Sequence, residues 1–386
     1  MENSYITDNS AEFGGGIYCN GNSAVSVMDG FIFSNYAEYG GGLYFDECAL
    51  TFNQNRRGRI FENEAETNGG GLYLKNGAEF FLNSVLIDDF HHLLRDNDAE
   101  VYGGGAFVTG SGTKLNLSNA SVGFNSAGLS GGAIYASDNA FVRIERDDDA
   151  CDKFHCSYLS DNQAGQSGGL ITIKQSRLEI DRVGIFRNRA DEGHGDFLFV
   201  DNGVVEITGS ILAYHDAQDG DVAADSLIAV SDRGPSAVLG SYLTVADNET
   251  ESFLHVEESE YIHNIAFGQS ILNDQNVTLD FNVNDSSVIF YCNLMAEMAS
   301  LDQPDVDVDH NIQSLDAGLG GGSYYLRDDS PAIDMCQGAA GEMDYLGNPR
   351  GIDHEGVADS NGVYDAGAFE YQYTNPDVIF RDGFDD

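Results

Sequence analysis

Positive charge is scarce in this chain of 386 residues: 18 Lys and Arg together face 64 acidic residues, a formal net charge of −46. A surface of that sign repels phosphate backbones and anionic lipid, which argues against DNA, RNA or a charged membrane as partner. It is tolerated where it is simply hydrated, keeping rods apart, or where salt or multivalent cations screen it. Apolar runs long enough to cross a membrane are missing, and so are an N-terminal secretory signal and the common hydrophobic C-terminal anchor. Helical periodicity is absent as well, which leaves short strands as the only regular element the pattern supports.

What the sequence does have is a repeat. An apolar residue, two further residues, Asn, any residue and Ala recur with Asn at 9, 35, 63, 97, 125, 162 and 188, and Ala at 11, 37, 65, 99, 127, 164 and 190. The intervals between Asn residues run from 26 to 37, a minimal coil with occasional insertions. Periods of this size, built from strands, mean a stacked solenoid in which each coil buries its neighbour. Beyond Asn188 the register weakens but continues through His215, Asn248 and Asn273, giving about ten coils.

The alternation of a strand points the apolar residue of each copy inward: Ile6, Ile32, Ile60, Leu94, Val122, Leu159 and Ile185 should form one column. Asn tolerates a left-handed backbone and its amide can bond to the next Asn, so it is expected at a turn repeated in register. The glycine clusters that follow, such as those at 14–16, 40–42 and 69–71, allow a corner with close backbone approach. A phosphate-binding loop would occur once and feed a helix, whereas these recur and feed strands. In the strands after the glycines, Tyr18, Tyr44, Tyr73, Phe107 and Tyr135 should face outward as an aromatic stripe. Such a stripe either shields the sheet or offers sugars or a partner a docking strip.

These repeats resemble those of right-handed parallel β-helix proteins of the pectin-lyase-like class. Over roughly residues 1–200, the Asn, Ala and glycine pattern is similar to that of chlamydial-type polymorphic outer-membrane proteins, with Ile, Leu or Val where that family has Phe. Near the other end Ser330 to Asp334, Asp344 to Arg350 and Asp365 to Tyr371 resemble the terminal region of choice-of-anchor β-helix proteins, and the tail from Asp377 resembles a short segment found on exported bacterial proteins. The resemblance implies an extracellular or cell-surface protein, associated with a bacterial outer membrane. It divides the chain into β-helix repeats over 1–300, with an N-terminal cap expected to lie upstream of Met1, and a C-terminal capping region over 301–386.

Chemistry has several candidate seats. Cys151 and Cys156 are close enough to pair, or to bind zinc with His155, while the connectivity of Cys19, Cys48, Cys292 and Cys336 stays open. Insertions near Asp88 to His92 and Asp147 to Asp152 should protrude as acidic loops, hydrated or binding calcium. Asp305, Asp307, Asp309 and Asp316 partly follow a calcium-loop spacing, although His310 stands where the turn needs glycine; as a strand, the same alternation puts three carboxylates on one wet face. Arg187, Arg189 and His194 lie in the one cation-rich stretch, and an Arg could serve a uronate lyase as base. Acidic neighbours explain that stretch equally as ion pairs, and the Gly193, His194, Gly195 run lacks the other motifs of a polygalacturonase-type hydrolase.

The combined expectation is an all-β, right-handed parallel β-helix with an irregular C-terminal cap. Its expected function is that of an exported rod, leaning away from enzymatic activity, which needs no cofactor except possible calcium and binds a polysaccharide or surface glycan in adhesin-like fashion. A polysaccharide lyase or glycoside hydrolase acting on acidic glycan, and a structural spacer within a larger adhesin, are the alternatives.

Overall fold

The computed structural model describes residues 4–54, 59–84, 93–147, 157–215, 226–258, 260–274, 279–281, 287–295, 306–308, 313–314, 316–319, 324–338, 342–354 and 362–371. These residues form a parallel β-helix solenoid, and no helix occurs among them. The first coil runs through strands Tyr5–Thr7, Ser10–Phe13, Ile17–Asn20 and Ala24–Met28 before the chain returns to pair Phe31–Phe33 onto Tyr5–Thr7. Repetition of this path builds four parallel sheets of twelve, seven, ten and eleven strands, here numbered first to fourth in the order the coil visits them. Twelve strands at ~4.8 Å spacing make a rod of roughly 53 Å. The solenoid passes residue 300, because Val306–Val308 pairs onto the fourth sheet and Gln313–Ser314 onto the first.

The aliphatic column forms as expected. Ile6, Ile32, Ile60, Leu94, Val122, Leu159 and Ile185 are aligned coil over coil, and all but the first are buried. Leu212, Val245 and Leu272 extend it. Against it stand other inward columns, such as Leu43, Leu72, Ala106 and Ile134 of the third sheet. Together they give one continuous core along the rod.

At the turn between the first and second sheets the Asn residues form a ladder. Each Asn from 9 to 162 donates its Nδ2 to the Oδ1 of the next at 2.9–3.0 Å, and the same oxygen accepts the backbone N–H at 3.0–3.2 Å. Left-handed geometry belongs to the residue before each Asn, not to Asn itself: Asp8, Ser34, Glu62, Asp96, Phe124, Asp161 and Arg187 have φ between 49° and 59°. The physical reason is that the Asn side chain must turn under the coil to reach its neighbours, so the residue ahead of it, exposed or half-buried, takes the strained conformation.

The ladder continues through His215 and Asn248 and then Asp274, not Asn273: Leu272 is in register with Val245, and the ladder residue follows it two positions on, where Asn248 follows Val245 by three. At the glycine corner, Gly40 has φ +65, and a Cβ on Gly41 would sit 2.2 Å from the carbonyl oxygen of Glu64 in the next coil. The corner therefore needs one glycine for conformation and a second for space.

The C-terminal region packs along the side of the solenoid. Tyr324, Tyr345, Ala368 and Phe369 lie against Tyr158, Phe186, Ile211, Ala213 and Ala246 of the first sheet's outer face. Arg146 donates to the carbonyls of Tyr345 and Leu346 at 3.0 and 2.9 Å, and a disulfide joins Cys292 to Cys336. The acidic motif residues are internal braces. Glu370 accepts the N–H groups of Gly351 and Ile352, Asp344 those of Leu346 and Asn348, and Asp365 those of Asp334 and Tyr371. Arg350 lies buried among them, 4.0 Å above the Tyr242 ring, and donates to the carbonyls of Gly367 and Ala368.

Candidate functional site

Outward-facing residues of the third sheet stack coil over coil in register as Tyr18, Tyr44, Tyr73, Phe107, Tyr135, Thr172 and Phe199. The first five rings are 4.9–5.6 Å apart, centre to centre, and nearly parallel. A second row from the adjacent corner, Phe13, Tyr39, Asn68, Tyr102, Ser130 and Ser167, runs beside them. Phe13 and Tyr39 stack on each other, and Tyr102 lies 4.5 Å from Tyr135.

The stripe faces outward as expected but is not open along its length. Tyr18 is 52% exposed, but Tyr44, Phe107 and Tyr135 retain under a tenth of their surface because the two rows cover one another. Burial pushes the hydroxyls of Tyr73 and Tyr135 up to about 12, so both remain protonated donors. Over most of its length the stripe is a self-shielded wall.

Between Tyr18 and Phe199 the first row is interrupted at one coil. Thr172 occupies the ring position between Tyr135 and Phe199, and Ser130 and Ser167 replace aromatics in the second row. The missing rings leave a cavity of about 260 Å³, lined by Tyr102, Tyr135, Gln166, Thr172, Lys174 and Phe199 with Asp201 and Arg233 at one side. Tyr135 and Phe199 are two coils apart, roughly 9.6 Å at the usual strand spacing, which is room for one flat ring between two aromatic faces. Thr172 forms the floor and donates to the carbonyl of Ser167 at 3.3 Å.

Charge at the slot is unusual for this chain. Lys174 lies in register between Ser137 and Asp201, and no carboxylate stands within ion-pair distance of it among the described residues. Asp201 is buried; it accepts from Ser231 Oγ at 3.1 Å and holds the largely exposed Arg233 only loosely, at 3.9 Å. A larger open groove of about 570 Å³ on the neighbouring edge is lined by Asn139, Phe141, Gln175, Arg177, Asn202 and Val204, but its cation is taken by Glu179 and Glu206.

The lyase candidates do not converge. Arg187 makes a two-pronged contact with Asp161 at 2.7 and 2.9 Å, Arg189 pairs with Asp191 at 2.7 Å, and His194 stacks on His255 at 4.0 Å. Of the calcium-type residues, Asp305 and Asp309 lie outside the described residues. Asp307 sits within the strand Val306–Val308, which pairs in parallel with residues 288–290 where a calcium site would need a loop, and Asp316 accepts the N–H of Gly318. Among the described residues no group of three or more His, Cys, Asp or Glu is placed to hold a metal ion.

Cys151, Cys156 and both acidic insertions also lie outside the described residues, apart from Asp147, whose N–H donates to Asn119 Oδ1. Two cysteine pairs left open by the sequence are formed, Cys19 with Cys48 between adjacent coils and Cys292 with Cys336. The slot itself was missed because it consists of small residues where the pattern calls for rings. Aligning residue 172 with 135 and 199 would have found it.

Fold and site together define a parallel β-helix repeat protein, disulfide-linked and with stacked aromatic rows on one face. Residues 3–20 match the Chlamydia polymorphic membrane protein repeat, a repeat of outer-membrane-associated proteins. No curated protein and no solved structure matches the chain. No helix among the described residues is long and apolar enough to cross a membrane.

Proposed function

We propose that this chain is the rod of an exported, cell-surface protein that binds glycan without turning it over, in the slot between Tyr135 and Phe199. The observation that carries the reading is the break in the aromatic rows, which leaves a cavity of about 260 Å³ between the in-register Tyr135 and Phe199, two coils apart, edged by polar side chains. Sugar rings bind such faces through their apolar C–H surfaces while amides and hydroxyls hold the rim. The resemblance of the repeats, the match at residues 3–20 and the disulfides support display outside the cell, where disulfides persist. The pectin-lyase-like and choice-of-anchor likenesses fit the same setting. Binding in this slot needs no metal ion, and calcium at the 305–316 stretch is a separate proposal.

Thr172→Tyr is the test, since a tyrosine there would complete the row and fill the slot. Oligosaccharides derived from neutral and acidic polysaccharides are titrated against both proteins by calorimetry, with unsaturated and reducing ends followed in parallel. Binding by the parent protein that is lost in Thr172→Tyr, at unchanged thermal stability, supports the reading. Binding that survives the filled slot overturns the location, and new ends released by the parent protein would make it an enzyme instead.

A further inference from the structure

We infer that the ring held in the slot is a hexuronate at the end of a glycan chain, with its carboxylate on Lys174. This deepens the glycan reading and rests on it. The argument starts from the scarcity of positive charge. Elsewhere the cations are occupied: Lys75 by Asp46, Lys114 by Glu79, Arg187 by Asp161 and Arg189 by Asp191. Lys174, half-buried in the wall of the slot, has no such partner among the described residues. A carboxylate borne directly on a ring stacked between Tyr135 and Phe199 lies at the ring's edge, where the ammonium of Lys174 faces it. Arg233, loosely held by Asp201 and mostly exposed, is free to turn toward the same anion.

The remaining surface decides how the anion is presented. With a net charge of −46, the rod repels a polyanion laid along it, and at physiological salt that repulsion acts over about 8 Å. A cavity of about 260 Å³ takes one ring, not a run of them. Recognition of a single terminal residue satisfies both conditions, whereas a groove for a long acidic chain would carry a track of unpaired cations; at the slot stand Lys174 and Arg233, while Lys114 and the exposed Arg143, Arg177 and Arg327 are paired with carboxylates.

The experiment compares a hexuronate disaccharide, its carboxyl-reduced neutral counterpart and a long polyuronate, titrated by calorimetry into the parent protein, Lys174→Gln and Thr172→Tyr, with thermal melts to confirm folding. A charge-assisted hydrogen bond at a partly buried site predicts roughly tenfold preference for the acid over the neutral disaccharide. Lys174→Gln should erase that preference while leaving neutral binding in place, Thr172→Tyr should abolish both, and affinity per chain end should not rise with polymer length. Equal affinity for the acid and neutral disaccharides would overturn the inference while leaving the glycan reading intact. A preference that survives Lys174→Gln, or affinity that climbs with chain length, would also overturn it. If neither disaccharide binds the parent protein, the glycan reading fails with it.

Discussion

His215→Asn puts an amide into the ladder at the position where an imidazole stands. The ladder runs one way, each side chain donating to the next, so His215 must donate Nδ1–H to Asn248 Oδ1, 2.8 Å away, and present Nε2 as acceptor to Asn188 Nδ2 at a long 3.5 Å. The ring is fully buried, and burial pushes its pKa down to about 4. Protonating Nε2 would also set two donors against each other.

An unfolded chain takes up this proton near pH 6.5 and the folded one only near 4, so the folded state loses stability as pH falls through that window. The gap of about 2.5 units at ~1.36 kcal/mol each corresponds to about 3 kcal/mol. Urea unfolding followed by far-ultraviolet circular dichroism at pH 7 and pH 4, for the parent protein and the variant, measures it. The variant should lose about 3 kcal/mol less on acidification, while at pH 7 the small void left by the shorter side chain costs it roughly 1–2 kcal/mol. Other titrating groups, including buried His263 and the raised carboxylates, are common to both proteins and cancel. Equal acid losses in the two proteins would refute the argument from ladder direction and burial.

Asn97→Ala, in the buried middle of the ladder, removes the side-chain bonds to Asn125 Oδ1 and to the carbonyl of Ile60 and strips both the Nδ2 and the backbone N–H of Asn63 of their acceptor, so it should cost about 3 kcal/mol in the same unfolding assay. Cys336→Ser opens a disulfide spanning 44 residues, for which loop entropy gives about 4 kcal/mol, and limited proteolysis should then cleave the C-terminal region before the rod. Burial raises Asp365 to about 8 and Glu370 to about 7, and the charge of Glu370 adds to the rise at Asp365. Their protonated forms favour the folded state, so the stability they supply is fully present below the ordinary carboxylate range and is lost as pH rises to the folded values of 7 to 8; hydrogen exchange at the backbone amides of Gly351 and Ile352, corrected for intrinsic rate, should accelerate between about pH 4 and 8 and level off above.

The inward column, the Asn ladder and the glycine corners are local consequences of a short motif, and the motif displays them directly. The left-handed residue before each Asn has no composition of its own, ranging from Asp8 to Phe124 to Arg187, so only the geometry shows it. Which cysteines pair depended on register: Cys19 and Cys48 lie one coil apart, a relation visible only once the corner lengths are known. Coverage of Tyr44 and Phe107 arises from a second row whose spacing relative to the first is set by the turn. The slot depends on Thr172 as an omission, and the lateral docking of the C-terminal region on contacts between residues some two hundred apart, such as Arg146 with Tyr345. Periodic patterns make the repeated features readable and leave the exceptions, the slot among them, unmarked.

Strand pairing and the Asn ladder alike run from coil to coil along the rod axis. Tension applied between the two ends therefore loads these bonds one coil at a time, like a zipper, whereas a sideways force must shear many together. A released coil of 26 residues pays out ~90 Å of extended chain. The Cys19 to Cys48 link ties the first coil to the second and would delay peeling at that end. As a tether under flow the rod would yield in steps, dissipating force while the coils beneath, and the slot they carry, stay folded.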